Sequence, residues 1–414
     1  MKKIYLLGLV ATSVFLAQAQ QDCSNGRYVD EVFPTVTTTS NIQYGSNLDL
    51  NGSNVNLLLD LYEPTGDTET NRPVIIFIHG GSFVGGSKTG DDVVPLAQAF
   101  AKRGFVTASI SYRLGITFFG DIEKNATEAV MRATQDTRAA VRFFRKSADT
   151  EGNPYNIDDT KIFLAGVSAG GFNALHLAYL DEISEIPAIV DLNGPGLSGG
   201  IEGESGSAGY SSLATAIVNI AGALGDVNWM QAGDTPLLSF HGDQDGTVPF
   251  GTDLIYLAGV FEIMVVDGSS TVHAQAETLG LTHCFKPHYG ADHVPHVGNA
   301  DYLDTTVNYM SQWLSTFTCG GTDYCYDYGT MSLEEHGQFD VSIYPNPATN
   351  RVRIDSGENL KKIRISDLSG KVIRDLTTNG SSTIINIDEF QSGSYFIYIE
   401  SESGNVRLKK LMKL

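Results

Sequence analysis

Residues 161–172 read KIFLAGVSAGGF, a short apolar run that ends in Gly166-Val167-Ser168-Ala169-Gly170-Gly171. An apolar run that passes straight into G-x-S-x-G is typical of a buried strand, a sharp turn and a helix. The turn strains the backbone of the serine, and glycines two positions away on either side avoid collisions between side chains. The pattern predicts Ser168 as a nucleophile at the start of a helix over residues 169–180. In a chain with 44 glycines the same letters can also mark an ordinary glycine-rich turn, so the surrounding motifs must decide.

The segments around this stretch alternate between strand and helix patterns. Residues 42–45 and 55–63 indicate two antiparallel edge strands, and residues 73–78 (PVIIFI) indicate a strand covered on both faces. Further strands are predicted at 105–112, 214–221, 236–240 and 283–289, and further helices at 91–102, 127–146 and 302–317. Such alternation predicts an α/β fold, a mostly parallel sheet with helices on both faces.

Two segments are less determined by the sequence. Residues 193–212 are rich in glycine and serine and indicate a long surface loop, which either covers part of the site or is a disordered insertion. Residues 261–280 show no decisive pattern.

The ends and the charge of the chain limit the classes of function. Residues 1–19 carry two early lysines, an apolar run and a small-x-small ending, which is typical of a secretory signal peptide. No later stretch is apolar enough to predict a membrane span. The net charge of −21 excludes nucleic acid as a partner, because phosphate backbones would be repelled.

The four cysteines are Cys23, Cys284, Cys319 and Cys325. In an exported protein they predict two disulfides, and three pairings are open. The chain has no C-x-x-C and no H-E-x-x-H sequence, so we expect no metal site.

Candidates for a catalytic acid and base follow the later predicted strands. The segment HGDQDGTVP offers Asp243 and Asp245, and we favour Asp245 because the loop must reach across the sheet edge to a histidine. Asp243 is expected to cap the turn. Among the histidines, His293 in GADHVP is the predicted base; the alternatives are His288, expected to be structural, and His296, expected at the rim of a pocket.

Stabilisation of an oxyanion needs backbone N–H groups that point at one place. The amide of Ala169, directly after the nucleophile, is one candidate, and Gly81 and Ser82 in the sequence HGGSF are the others. The sequence HGGSF is equally compatible with an ordinary turn at the end of a strand, with no role in catalysis.

HGGSF, GVSAGG, HGDQDGTVP and GADHVP, in this order, resemble the α/β-hydrolase superfamily of esterases and lipases, in its HGG-bearing carboxylesterase branch. The resemblance covers about residues 42–317. It implies serine-dependent hydrolysis of carboxylic esters with no cofactor. Ser82 replaces the third glycine of the usual HGGG run, and Val167 replaces the acid found before the nucleophile in the hormone-sensitive-lipase-like group, so acyl preference stays open.

The last residues differ from the rest in charge and periodicity. Residues 338–414 hold 11 Lys+Arg against 9 Asp+Glu, and their apolar residues alternate as in a small all-β sandwich. The sequences YPNPA (344–348), ISDLSGK (365–371), GSY (393–395) and KKLMKL (409–414) resemble the sorting domain of the type IX secretion system. This implies export across the outer membrane and proteolytic loss of the tail.

The predicted organisation is a signal peptide (1–19), a catalytic domain (20–318), a linker (319–337) and a sorting domain (338–414). A peptidase on the same fold and a non-enzymatic binding protein are the alternative functions. The first would need an N-terminal propeller or an amine-binding pair of carboxylates, and the second predicts missing catalytic residues. Pocket candidates are Phe83, Tyr112, Phe118, Phe119 and Trp229, and the substrate could be a short acyl ester, a polysaccharide ester or a polyester. The sequence leaves the oligomeric state open.

Overall fold

The computed structural model describes residues 22–257, 259–320, 341–367, 372–403 and 406–414. The chain divides into two compact units, residues 1–329 and 330–414. The predicted signal peptide, most of the predicted linker and Cys325 lie outside the described residues, as does part of the ISDLSGK motif.

The first unit is built on an eight-stranded sheet, and the prediction of a mostly parallel α/β fold is confirmed. Its strand order is β1-β2-β4-β3-β5-β6-β8-β11; β1–β2 and β2–β4 pair antiparallel and the other neighbours are parallel. The elements are β1 Val36–Leu48, β2 Asn54–Pro64, β3 Arg72–Ile78, α1 Val94–Ala101, β4 Val106–Ile110, α2 Ile122–Thr150, β5 Ile157–Val167, α3 Ala169–Tyr179, β6 Ala216–Ile220, β7 Ala223–Leu224, β8 Leu237–Gly242, β9 Thr252–Leu257, β10 Phe261–Gly268, α4 Ser269–Leu279, β11 His283–His288 and α5 Ala300–Cys319.

The sheet is covered on both faces, as the continuous apolar run in β3 requires. Ile76 and Ile78 of β3 pack into one core with residues of α2, α3 and α4. Ile75 and Phe77 point the other way, into a core with α1 and α5. All seven residues of β3 are buried. From β3 the chain continues through α1 to β4, which pairs with one edge of β3. It then returns through α2 to β5, which pairs with the other edge of β3. Parallel sheets with this reversal of strand order bind ligands in the crevice at the carboxyl ends of the two strands, here β3 and β5.

A second, three-stranded sheet was missed by the sequence reasoning. It has the order β7-β10-β9; β7 lies between β6 and β8 in the chain, whereas β9 and β10 lie between β8 and α4. Residues 261–280, which show no decisive sequence pattern, form β10 and α4. β7 has only two residues, and β10 is exposed or half-exposed over its first five, so neither gives the apolar run that marks a core strand.

Residues 193–212 form the long loop that the sequence predicts, without a helix or strand. Of the two alternatives left open, the loop is not a disordered insertion, because it packs against α2. Leu197 is fully buried against Met131 and Leu180. Arginines of α2 hold the loop: Arg132 Nε donates to the carbonyl of Pro195 at 2.9 Å, and Arg142 Nη1 contacts Glu202 Oε2 at 2.5 Å. The loop is therefore fixed on the outer side of α2.

A buried ion pair anchors the same region. Arg113 Nη2 lies 2.8 Å from Asp136 Oδ1, and the two side chains are 1% and 0% exposed. Ser205 Oγ donates to Asp136 Oδ1 at 2.6 Å, and Arg113 Nη1 donates to the carbonyl of Gly196 at 2.7 Å. The pair thus joins α2 to the loop of residues 193–212.

Asp136→Ala is expected to lower the free energy of unfolding by about 3–5 kcal/mol, because it leaves a buried guanidinium without its counter-charge. Glu151→Ala is the control: its pair with Lys146 at 2.9 Å is 42–44% exposed, so its loss should change the free energy of unfolding far less. Trp229 and Trp313 are the two tryptophans of the chain and lie in the first unit, so urea unfolding followed by their fluorescence measures this unit alone. Equal losses in the two variants would contradict the role given to the buried pair.

One disulfide closes the first unit. Cys23 is bonded to Cys319 at the end of α5, at a sequence separation of 296. This pairing excludes the small loop that a Cys319–Cys325 bond would close, and it leaves one of the three possible arrangements.

The second unit contains two antiparallel sheets, β12-β13-β16 and β15-β14-β17-β18, which confirms the all-β prediction. Its strands are β12 Val341–Tyr344, β13 Arg351–Ser356, β14 Leu360–Asp367, β15 Val372–Thr377, β16 Ser382–Asn386, β17 Gly393–Ser401 and β18 Val406–Lys413. Val352, Ile354, Ile363, Ile365 and Ile397 are fully buried in its core, as their alternation predicted.

Candidate active site

Ser168 lies at the turn between β5 and α3 with a strained backbone, φ 53° and ψ −117°. Such a conformation costs on the order of 1–3 kcal/mol and persists where the surroundings fix it. The two glycines of G-x-S-x-G are needed for steric reasons. A Cβ on Gly166 would overlap the carbonyl of Gly170, and a Cβ on Gly170 would overlap the carbonyl of Ile78 at the end of β3. The turn therefore presents Ser168 at the carboxyl edge of the sheet.

The structure brings the three predicted catalytic side chains together. His293 Nε2 lies 2.9 Å from Ser168 Oγ, and His293 Nδ1 lies 2.7 Å from Asp245 Oδ2. Ser168 follows β5, Asp245 follows β8 and His293 follows β11, so the carboxyl ends of three parallel strands supply them. Among acidic side chains of the described residues, Asp245 is the one paired with His293.

Asp245 receives hydrogen bonds on both carboxylate oxygens. Oδ1 accepts from the backbone N–H groups of Thr247 at 2.8 Å and Val248 at 2.9 Å. Oδ2 faces His293 and also His241, whose Nε2 lies 3.2 Å away. Burial by itself would raise the pKa of Asp245, but the bonds from His241 and His293 outweigh it and hold that pKa well below its usual range. The carboxylate is therefore ionised at neutral pH.

The competing residues occupy structural positions. Asp243 Oδ1 accepts from the N–H of Gly290 at 2.5 Å and so caps the turn after β11. His288 is buried at the end of β11 with its ring stacked on Phe240. His296 is also buried, and its Nε2 donates to the carbonyl of Asp92 at 3.1 Å, so its expected place at the pocket rim was wrong.

The loop after β3 turns sharply beside Ser168. Gly81, Ser82 and Phe83 have φ values of 111°, 52° and 60°, a run of left-handed residues. Ser82 and Ala169 line the pocket next to Ser168, whereas Gly81 does not line it. The carbonyl of Gly81 accepts from the N–H groups of Val84 and Gly85 at 3.0 Å, which closes the turn.

Two residues that support this site were missed from the sequence. Asp92 falls in the helix predicted at 91–102, but α1 begins at Val94, and Asp92 Oδ2 accepts from the N–H of Gly80 at 2.7 Å. His241 received no role, although it stands four residues before Asp245. The sequence did offer one signal for His241, which is its position at the end of a strand predicted to be buried. A polar residue at such a position is expected to be buried as well and to contact the loop that follows.

An apolar pocket opens at Ser168. Its walls come from α2, α3 and the small sheet of β9 and β10, and they include Phe83, Val130, Phe172, Trp229 and Met264. Of the predicted aromatic residues, Phe83 and Trp229 line it; Tyr112 is buried behind the loop, and Phe118 and Phe119 are exposed. A second, more polar cleft begins at Ser82 and Thr247 and continues past Asp253. Ser168 thus faces an apolar pocket and has a polar cleft beside it.

Each of the two units contains a match to a known protein family. The BD-FAE family model matches residues 59–254. These residues, just under half of the chain, are thus similar to an α/β-hydrolase esterase domain. A model described as a secretion system C-terminal sorting domain matches residues 342–413. The BD-FAE match contains Ser168 and Asp245 and ends before His293, so the prediction for His293 depends on its sequence motif and on the geometry.

Curated relatives match a short part of this chain. A pyrethroid hydrolase, Ces2a, of Mus musculus is 39% identical over 119 residues, 28% of this chain and 19% of that protein. Neuroligin-like protein glit-1 of Caenorhabditis elegans is 32% identical over 116 residues, 28% of this chain and 14% of that protein. The chain thus spans about a fifth or less of the length of these relatives, and the name of one of them states no enzymatic activity.

Among solved structures, esterase 2 of Thermogutta terrifontis with bound propionate is 22% identical, with a TM-score of 0.49, over 69% of this chain and 96% of that one.

Within the described residues no helix has the length and apolar character to cross a membrane. The same residues contain no cluster of three side chains suited to hold a metal ion.

Proposed function

We propose that the chain is a secreted serine hydrolase that cleaves carboxylic esters through Ser168, His293 and Asp245. The observation that carries this proposal is the continuous line of two short contacts, 2.7 Å and 2.9 Å, from Asp245 through His293 to Ser168 at the mouth of an apolar pocket. A nucleophile, a base and an acid in this order are what acyl transfer requires. The similarity of residues 59–254 to an esterase domain supports the same reaction.

In the first half of the reaction, Ser168 Oγ attacks the ester carbonyl while His293 Nε2 takes the hydroxyl proton. The oxyanion of the tetrahedral intermediate lies near the N–H groups of Ser82 and Ala169, the second of which is at the N-terminus of α3, where the helix dipole favours negative charge. Collapse of the intermediate breaks the bond to the alcohol oxygen, which leaves with the proton from His293. The acid part of the substrate remains bonded to Ser168.

In the second half, water attacks the acyl-enzyme and His293 takes the proton from the water. The proton returns to Ser168 Oγ when the acid leaves. Asp245 keeps the hydrogen of His293 on Nδ1 throughout, since its Oδ2 is an acceptor 2.7 Å away. No cofactor enters either half.

The two openings beside Ser168 suggest different preferences for the two parts of the ester. The pocket along α3 is lined mainly by apolar side chains and suits the acid, whereas the cleft past Thr247 and Asp253 suits a polar alcohol. Turnover of p-nitrophenyl esters of graded chain length by the purified protein tests the proposal. Absence of hydrolysis at every length by a folded protein would overturn it.

The second unit supports export. Its match to a sorting domain indicates export by type IX secretion, to the medium or the cell surface. We propose in addition that a signal peptide at residues 1–19 directs the first step and that the tail is removed by proteolysis.

A chain that ends near Tyr328 is expected to keep its kcat/KM on soluble esters, because all proposed catalytic residues lie in the first unit. In the native host this shortened chain should stay in the periplasm. Activity of cell fractions measures both effects, with the full chain as control. Loss of activity on a small soluble ester by a folded, shortened protein would contradict the division of roles.

A further inference from the structure

The apolar pocket follows one face of α3. Ser168, Phe172, His176 and Leu180 are spaced by four residues and all line it. Residues four apart lie on the same side of a helix. A helix rises about 1.5 Å per residue, so His176 lies about 12 Å along the axis from Ser168. The helix therefore fixes the distance between the two residues: Ser168 lies at one end of the pocket, and His176 lies about two helical turns further along it.

His176 presents an acceptor to this pocket. Its Nδ1 lies 2.8 Å from the carbonyl of Phe172, and since a carbonyl only accepts, Nδ1 carries the hydrogen. Burial lowers the pKa of His176 to about 4, so the ring is neutral at neutral pH and Nε2 has a lone pair. The residue is 6% exposed, and within the described residues Nε2 has no hydrogen-bond partner.

Among the described residues, none donates a hydrogen bond to Nε2, although several lie close to it. A Cβ on Gly225, which also lines the pocket, would lie 3.3 Å from Nε2, so the backbone of Gly225 passes close to it. The rings of Phe172 and Trp229 pack on the imidazole with centroids 6.1 Å and 5.5 Å away. Thr127, another polar residue of the pocket, already donates its hydroxyl to the carbonyl of Glu123 at 2.8 Å. Once a bound molecule excludes water from the pocket, Nε2 would be left without a donor unless that molecule supplies one.

We propose that His176 determines acyl specificity: its Nε2 accepts a hydrogen bond from a hydroxyl at the far end of the acyl group, which selects esters of acids with a distal hydroxyl. The proposal rests on the proposed ester hydrolysis. A hydroxyl fits better than an ammonium group, since no carboxylate of the described residues lines this pocket to balance a charge. The position of His176 on α3 sets the length, because a hydroxyl that stops short of it would be buried without a partner.

The test compares p-nitrophenyl esters in matched pairs of increasing length, with a terminal hydroxyl or a terminal methyl group. In the wild-type protein the ratio of kcat/KM, hydroxyl over methyl, should fall below one for short chains and rise to about five- to tenfold at one length. In His176→Phe the rise should disappear while the methyl esters are still hydrolysed. His176→Gln, whose amide oxygen can accept, should restore part of it. Thr127→Val is the matched control and should keep the rise.

Inhibition by the free acids adds a measurement that needs no variant. The hydroxy acid of the selected length should inhibit the wild-type protein more strongly than its methyl analogue, by about the same factor. The inference about His176 is overturned if the ratio of kcat/KM for hydroxyl over methyl esters shows no maximum with length, or if His176→Phe keeps that maximum. In either case, hydrolysis of the methyl esters would still support the proposed function. If no ester is hydrolysed, both fail. Equal inhibition by the two acids also counts against His176, and it would fit an ordered water on Nε2.

Discussion

Ser168→Ala is expected to lower kcat for ester hydrolysis by about 10⁶-fold. The variant removes the atom that bonds to the acyl group, and His293 then has no hydroxyl from which to take a proton. What activity remains should come from substrate binding and from the oxyanion donors. Alanine can take the same backbone conformation as serine, so thermal unfolding should occur at a similar temperature.

Ser82→Ala is the matched control for this variant. Ser82 also lines the pocket and also has a positive φ of 52°, but its proposed role uses the backbone N–H, which alanine retains. Its effect on kcat should be small. Near-normal turnover by Ser168→Ala, or equal losses in the two variants, would sink the assignment of the nucleophile.

Asp245→Asn should reduce kcat by about 10⁴-fold, because the amide reverses the tautomer of the catalytic histidine. Oδ1 faces two backbone N–H groups that cannot turn away, so the side-chain NH₂ must take the position of Oδ2. There it faces His293 Nδ1, which then becomes an acceptor. The hydrogen moves to Nε2, and that nitrogen can no longer take the proton of Ser168.

Asp243→Asn is the comparison, two residues away in the same turn. Asp243 caps the turn through Gly290, so its replacement should act on thermal stability more than on kcat. Steady-state kinetics and thermal unfolding of both variants separate the two roles. If Asp243→Asn loses activity and Asp245→Asn does not, the acid is Asp243.

Much of the fold could be predicted from the sequence, because the strands of the main sheet carry local signals. β3 is covered on both faces and therefore reads as a continuous apolar run. Gly166 and Gly170 mark the turn at Ser168, since a side chain at either position would overlap the backbone. Ser168, Asp245 and His293 were each predicted from a short motif that follows a strand, and the structure brings their side chains together.

Other features depend on contacts between distant residues, and no local pattern encodes them. β9 and β10 are partly exposed, so they lack the periodicity of a buried element, and β10 pairs on its other side with the two-residue strand β7. The bond from Asp92 to Gly80 joins two loops, and the contact from His241 to Asp245 requires the turn after β8. His176 has the sequence context of any helix residue, and only the fold shows that it lies in the pocket.

The disulfide between Cys23 and Cys319 makes the first unit a covalent ring. A protease that cuts any one exposed loop between these cysteines would open the ring without releasing a fragment, so the two pieces stay joined. The exposed surface around Phe119 could thus be nicked while the strands that carry Ser168, Asp245 and His293 remain linked. Two separate fragments would then be observed only after the disulfide between Cys23 and Cys319 is reduced.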